Sequence, residues 1–493
     1  MVEISELAKQ NPWWADINAI ESDDKIRDFD SAVIKWIPRL KKYLKLNNDV
    51  LYSLRGPRQV GKTTLVKLII REELKKRKPS DIFYFTCDLV VSPTALNDIL
   101  ESYLTWAQRQ SIDRKLIVLD EVSRVKEWEF ALKHIIDVFS LKGKTFILTG
   151  SSSWDLKHGI ERLPGRKGEL SGEQNHKILL PMKFAEYVEM RDPETYSKIK
   201  SFGLADNESR KIVFNELVKG QAQKWIGPIL PFQKTLDAIF DEYLITGGIM
   251  TAVNQLQNKQ EINNNIYELY LQFFFGDLAR MMREETTAKK ILSAVIKHHG
   301  TTIGWTKIAK EMDIKTPITV MQYCDILHNL FALNIYHAFD QNYRVPRHRS
   351  DKKLQVPNPF FFHAFRGYVE NPTGNYFRYA QQFIQTSEGK ALLAESVCGD
   401  HLARLSYNFA PSDLFDQTNS VFYVRNMRGE TIDFITRIGS EFLPVEVKYQ
   451  NQISSNDYHS IEKFKYGIIA TKKTFEVRGN YIAIPMPVFL LFI

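Results

Sequence analysis

The chain has 493 residues, 44% of them apolar and 25% charged, with a formal net charge of +8 and a pI near 9.0. This is an ordinary globular composition with material for two to four domains of roughly 100–200 residues each. The three cysteines, Cys87, Cys324 and Cys398, lie far apart, which excludes a disulfide framework, argues against a zinc site and suits a reducing, cytoplasmic setting.

The N-terminus, MVEISELAKQNPWWADINAIESDD, has no basic start followed by an apolar run, so it is not read as a signal peptide. Residues 1–50 carry Trp13, Trp14 and Trp36 among charges, and SAVIKWIPRLKKYL spaces its apolar residues as an amphipathic helix does. They read as an amphipathic extension packed on the next domain. In residues 51–235, VLYSLRG, DIFYFTCDL, KLIVLDEV and KTFILTGSS read as strands, and GKTTLVKLIIREELKK and EWEFALKHIIDVF as helices. Continuous apolar strands separated by helices predict a parallel sheet covered on both faces. Residues 236–290 read as a helical lid broken at Gly247–Gly248. Residues 291–350 give three helices and a strand, the order of a winged helix-turn-helix. Residues 351–493 return to mixed α and β. They end in YIAIPMPVFLLFI, which is too short for a bilayer span of about 20 residues and reads as a final buried strand. No membrane association is expected.

Residues Gly56, Pro57, Arg58, Gln59, Val60, Gly61, Lys62, Thr63 and Thr64 read GPRQVGKTT, a complete P-loop pattern between a strand and a helix. The two glycines let backbone N–H groups curl toward a phosphate, and the helix start adds its positive dipole end. ATP and Mg2+ are therefore the expected ligands, with Lys62 reaching the β- and γ-phosphates and the Thr63 hydroxyl on the metal. Downstream, KLIVLDEV ends in Asp120 and Glu121 at the C-terminal edge of a strand, where open α/β sheets bind ligands. Asp120 is placed to hold Mg2+ through water, and Glu121 to orient or deprotonate the attacking water. Thr149 and Ser151, after a third strand, are candidate γ-phosphate sensors or simply part of a polar loop. Arg166 is a candidate arginine finger or a solvated loop residue.

NPWW at 11–14, GPRQVGKTT at 56–64, LDEVSRVKEWEFALK at 119–133, TGSSS at 149–153, LPGR at 163–166, LPMKFAEY at 180–187 and YLITGG at 243–248 together resemble a family of prokaryotic, archaeal-type P-loop ATPases within the AAA+ and STAND grouping. The resemblance covers about half the chain. It implies ATPase activity, and a C-terminal winged helix followed by a nuclease-like domain.

In TIDFITRIGSEFLPVEVKYQ, residues 431–450, a turn at Gly439–Ser440 makes a hairpin in which Asp433 faces Glu446, with Lys448 on the same face and Val445 and Val447 on the other. Two such carboxylates can share a Mg2+. This arrangement resembles the PD-(D/E)XK nuclease core, with Lys448 placed to activate a water. The resemblance adds Glu395, on a preceding helix, as a third metal ligand. The alternative is a solvated charged face. The basic run 343–353, with Arg344, Arg347, Arg349, Lys352 and Lys353, is a candidate grip for a DNA or RNA backbone, or else a solvated loop. Helix 317–333 lacks Lys and Arg, unlike a normal recognition helix.

The sequence thus predicts an α/β chain: a P-loop NTPase parallel sheet with a helical lid, a winged helix-turn-helix and a C-terminal α/β nuclease-like domain. The expected activity is a Mg-dependent ATPase coupled to a nuclease-like domain that binds or processes nucleic acid. The rival expectation is an ATP-dependent switch that binds a protein partner and carries an inert nuclease fold.

Overall fold

Apolar runs in the first 180 residues set the architecture of the N-terminal part. In the computed structural model they form β1 (Val50–Arg55), β2 (Ile82–Thr86), β3 (Lys115–Asp120) and β4 (Lys144–Thr149), joined by the short β5 (His176–Ile178). The structure describes residues 2–493 except 151–155, 157–158, 169, 171–172, 282, 371–373, 410–419, 426–430 and 439–440. It divides into two units, the first ending at Leu180 and the second beginning at Pro181.

In the first unit the sheet order is β2-β3-β4-β1-β5, with every neighbouring pair parallel. β1, β3 and β4 are buried along their whole length, as strands sandwiched between helices must be. Helices Pro93–Gln110 and Trp128–Phe139 pack Leu100, Tyr103, Leu104, Leu132 and Ile135 into the same core as Phe83, Ile117 and Phe146. The N-terminal residues seal the edge strand. The Trp13 and Trp14 indoles both donate to the Ile82 carbonyl, at 3.1 and 3.0 Å, and the Asn11 amide pairs with both backbone groups of Tyr84. The amphipathic helix expected within SAVIKWIPRLKKYL is absent; only a 3-10 turn, Arg39–Tyr43, forms there. Pro38 lacks the N–H a longer helix would need, so Ile34, Leu40 and Leu44 are buried from irregular or 3-10 backbone while Val33 and Ile37 stay exposed.

The second unit opens with helices, among them Gln233–Thr246, Met250–Lys259 and Asn264–Arg280. The expected break is present: Gly247 and Gly248 take φ of 55° and 70°, and a side chain on Gly248 would collide with the Met182 carbonyl. Next come helix Glu285–Lys297, β6 (Thr302–Ile303), helices Trp305–Glu311 and Pro317–Asn329, β7 (Asn334–Asp340) and β8 (Val345–Gln355). After helix Ser387–Ala403 come β9 (Val421–Arg425), β10 (Thr431–Ile438), β11 (Glu441–Lys448), β12 (Gly467–Thr471), β13 (Glu476–Arg478) and β14 (Tyr481–Pro485).

β6 to β14 build one nine-stranded sheet, ordered β13-β14-β12-β11-β10-β9-β7-β8-β6. Position 350/351, where the sequence divides two segments, lies inside β8. β7 joins the halves by pairing antiparallel with β8 and parallel with β9. The C-terminal run YIAIPMPVFLLFI is not one strand: β14 stops at Pro485 and a helix, Met486–Leu490, takes over. Pro487 in the first turn is pre-set for helix, which ends the strand. Among the described residues no helix is long and apolar enough to cross a membrane.

Candidate nucleotide site and C-terminal carboxylate cluster

The loop after β1 has the backbone a phosphate cradle needs. Gly56, Gln59 and Gly61 all take positive φ, and helix Lys62–Glu73 starts at once. The Lys62 ammonium folds back on the loop, donating to the Gly56 and Pro57 carbonyls at 3.0 Å each. Burial pushes its pKa down to about 8, against the upward pull of Glu121; Arg58 pushes the same way as burial, and Asp120 opposes it.

β4 lies between β1 and β3, so Thr149 at its end sits beside the acids that end β3. Asp120 accepts from three hydroxyls: Thr63 Oγ1 at 2.8 Å, Tyr84 at 3.0 Å, and Thr149 Oγ1. Two oxygens from Thr63 and Asp120 at that separation suit a hard, oxygen-seeking cation such as Mg2+, so the residues present fit the metal. Glu121 is held at φ 54°, its N–H donates to Thr149 Oγ1 at 3.0 Å, and its carboxylate lies 3.5 Å from the Arg58 guanidinium. A non-glycine residue in the left-handed region costs about 1–3 kcal/mol, and such strain gathers at functional sites.

Of the sequence candidates, Thr63, Asp120, Thr149, Glu121 and Arg58 are linked by these contacts, and Lys62 is bonded to Gly56 and Pro57. The Thr149 hydroxyl is engaged by Asp120 and the Glu121 N–H. Arg166 makes a two-pronged pair with Asp137, at 2.6 and 3.1 Å, rather than any described contact with the P-loop. Ser151 lies outside the described residues. Tyr84 was missed. Its signal was its place in DIFYFT, a strand that runs alongside β3 and pairs Tyr84 with Val118.

In the second unit, β10 and β11 pair with Phe434 opposite Val445, the register expected from the sequence. Asp433 and Glu446 therefore face each other; the turn at Gly439–Ser440 lies outside the described residues. Asp433 N–H donates to Glu446 Oε2 at 3.2 Å, Val447 N–H to Asp433 Oδ2 at 2.9 Å, and Lys448 Nζ pairs with Glu446 Oε1 at 2.7 Å. Glu395 comes from helix Ser387–Ala403, as the resemblance implied.

Between Glu395 and Asp433 stands Lys353, from β8. Its Nζ is 2.7 Å from Glu395 Oε1 and 3.1 Å from Asp433 Oδ1, with only 5% of the side chain exposed. Burial alone would lower the Lys353 pKa, but Asp433 and Glu395 reverse this and hold it above the usual lysine value. Burial pushes Glu446 up to about 7, with Asp433 adding to the rise. Among the described residues no group of three or more His, Cys, Asp or Glu side chains is placed to hold a metal ion. The basic run is also divided. Arg344, Arg347 and Arg349 are exposed, whereas Lys352 and Lys353 are buried, Lys352 donating to the His348 carbonyl at 2.6 Å. Two of the five expected phosphate contacts are thus turned inward.

Residues 48–188 match the family model of an AAA domain, and the first unit is accordingly a P-loop nucleotide-binding unit of the AAA type. Residues 237–371 and 390–489 match two families each described as a domain of unknown function, DUF8612 and DUF4143. An uncharacterized protein of Methanocaldococcus jannaschii is 23% identical over 342 residues; the match covers 67% of this chain and 65% of that protein's length. Among solved structures, a Walker-type ATPase of Pyrococcus abyssi is similar at 15% identity and a TM-score of 0.36, over 66% of this chain and 94% of its own. The ORC1 protein of Aeropyrum pernix, solved in complex with DNA, is similar at 12% identity and a TM-score of 0.30, over 66% of this chain and 87% of its own.

Proposed function

We propose that this protein is a Mg-dependent ATPase whose second unit combines a winged helix with a nuclease-like fold and binds nucleic acid. The observation that carries the ATPase reading is the Thr63–Asp120 contact at 2.8 Å beside a P-loop that already orients Lys62. Thr63 and Asp120 would hold Mg2+, and the ion would supply charge stabilisation for the transferring phosphoryl group. Lys62 leaves the Gly56 and Pro57 carbonyls for the phosphate oxygens. Glu121, fixed by Thr149 and β3, orients the water for in-line attack. Lys62→Ala is expected to lower phosphate release by about 10²–10³-fold and to weaken ATP binding. Wild-type turnover in that variant would remove the assignment.

The nucleic-acid reading draws support from the order helix, β6, helix, helix, β7, β8 and from the meander β9-β10-β11 beside parallel β12. Three exposed arginines, Arg344 just before β8 and Arg347 and Arg349 on it, would give duplex binding whose log Kobs falls with log salt at a slope of about −3. Filter binding across a salt series measures it. One observation favours the second reading, a nucleotide-governed switch with an inert nuclease-like fold: Lys353 lies where a metal-dependent nuclease would place its cation. A divalent-metal cleavage assay on branched, nicked and single-stranded DNA and RNA tests the inert fold, since cleavage would rule out the second reading, and the filter-binding series tests the first.

A further inference from the structure

We infer that the Lys353 ammonium is the resident cation of the C-terminal carboxylate cluster and keeps divalent metal out of it. The geometry is that of an ammonium ion. Nζ stands 2.7 Å from Glu395 Oε1 and 3.1 Å from Asp433 Oδ1, and 3.3 Å from the Asp433 carbonyl. These are hydrogen-bonding separations; Mg2+ would need its oxygens at about 2.0–2.1 Å, and Nζ occupies the space between them.

The oxygens are also spoken for. Glu395 Oε1 accepts from Gln355 Nε2 at 2.8 Å as well as from Lys353. Asp433 Oδ1 faces Lys353, and Oδ2 accepts from the Val447 N–H. Glu446 Oε1 pairs with Lys448, and Oε2 accepts from the Asp433 N–H. Of the six carboxylate oxygens, five have a protein donor. Three carboxylates facing two lysines leave at most one uncompensated negative charge, too little to draw a doubly charged ion past a buried ammonium.

Lys353 is held there by packing. β8 pairs Lys353 with Tyr336, whose ring meets that of Phe434 edge-on at 5.5 Å, and the Lys353 Nζ lies 4.6 Å from the Phe434 centroid. Just before it, the β7–β8 register jumps: His337 faces Lys352, but Ala338 faces Arg347, so residues 348–351 bulge out. Lys352 clamps that bulge through the His348 and Ser350 carbonyls. The cluster is therefore an ionic joint tying β8 to the β10–β11 hairpin and to helix Ser387–Ala403. Removing the lysine should convert it into a divalent-cation site.

The inference takes from the nuclease-like reading only the identity of the cation that Lys353 replaces. Its test uses the full chain without nucleotide and follows Mn2+ binding by electron paramagnetic resonance. In the wild type, Asp433→Asn should leave the number of bound Mn2+ unchanged. Lys353→Met should gain one Mn2+, which Lys353→Met/Asp433→Asn loses again. Its melting temperature should fall, and millimolar Mn2+ should restore it while leaving the wild type unmoved. A Mn2+ lost from the wild type on Asp433→Asn would overturn the inference, and so would a folded Lys353→Met that gains none. The wild-type comparison decides even where Lys353→Met does not fold. Neither readout involves ATP turnover or strand cleavage, so failure of the ATPase or nuclease reading would register separately.

Discussion

On the proposed ATPase reading Glu121 and Lys62 have different roles at the nucleotide site, and each yields a separate expectation. Glu121→Gln keeps the side-chain volume but loses the base and the charge facing Arg58. It should hold ATP while hydrolysing it about 10²–10⁴-fold more slowly, as read by equilibrium nucleotide binding alongside phosphate release. Unchanged turnover would hand the water to another group. Lys62, with its pKa near 8, links nucleotide binding to pH. Below pH 8 folded and unfolded chains both carry the proton, and its burial costs the folded state about 3 kcal/mol. Between pH 8 and 10.5 the folded chain gives up its proton first, so this group's contribution to stability improves as pH rises. ATP binding runs the other way, because the phosphates need the charged lysine. Above pH 8, ATP affinity should fall and binding should take up a proton. Calorimetry in buffers of different ionisation enthalpy measures that uptake, and Lys62→Met should abolish it.

At the scale of elements, the β1–helix junction separates two kinds of glycine. At Gly56, with φ 151°, a Cβ would strike the carbonyl oxygen of Leu179, whose N–H is bonded to Arg55. At Gly61, with φ 97°, the space is open and only the backbone conformation resists. Gly61→Ala should cost about 1–2 kcal/mol in urea unfolding, and Gly56→Ala clearly more, with loss of nucleotide binding. Equal costs would mean that strain alone governs both positions. In the second unit, Phe434 is fully buried under Tyr336 and Lys353. Phe434→Ala should cost about 3–5 kcal/mol, a loss that thermal or urea unfolding would reveal.

On the scale of the whole molecule, the nine-stranded sheet makes a claim about cooperativity. β7 is bonded on one side to β8 and on the other to β9, so the 285–355 segment and the C-terminal strands share one sheet. Amides of β7 should exchange with the slow protection of β11, opening only when the whole sheet opens. Hydrogen exchange that releases β6, β7 and β8 well before β10 and β11 would show a separately folding module.

Much of the nucleotide site was legible in the sequence because it is local. A P-loop is one contiguous turn between a strand and a helix, and Asp120–Glu121 is one strand end, so short-range pattern and spacing suffice. The Asp433–Glu446 pairing was legible for the same reason, since a hairpin register comes from a turn and an alternation of period two. The sequence could not supply what distant segments bring. Tyr84 reaches Asp120 only because β2 lies against β3, and Thr149 only because β4 is inserted between β1 and β3. Lys353 read as one cation in an exposed basic run. The pairing of β7 with β9, and the bulge at 348–351, carry it 80 positions along the chain to Asp433 and bury it there. Composition and spacing therefore determined which chemistry the chain carries at each strand end. Only the packing of one sheet decided which charge fills the second site, because burial and long-range strand order leave no periodic trace in the sequence.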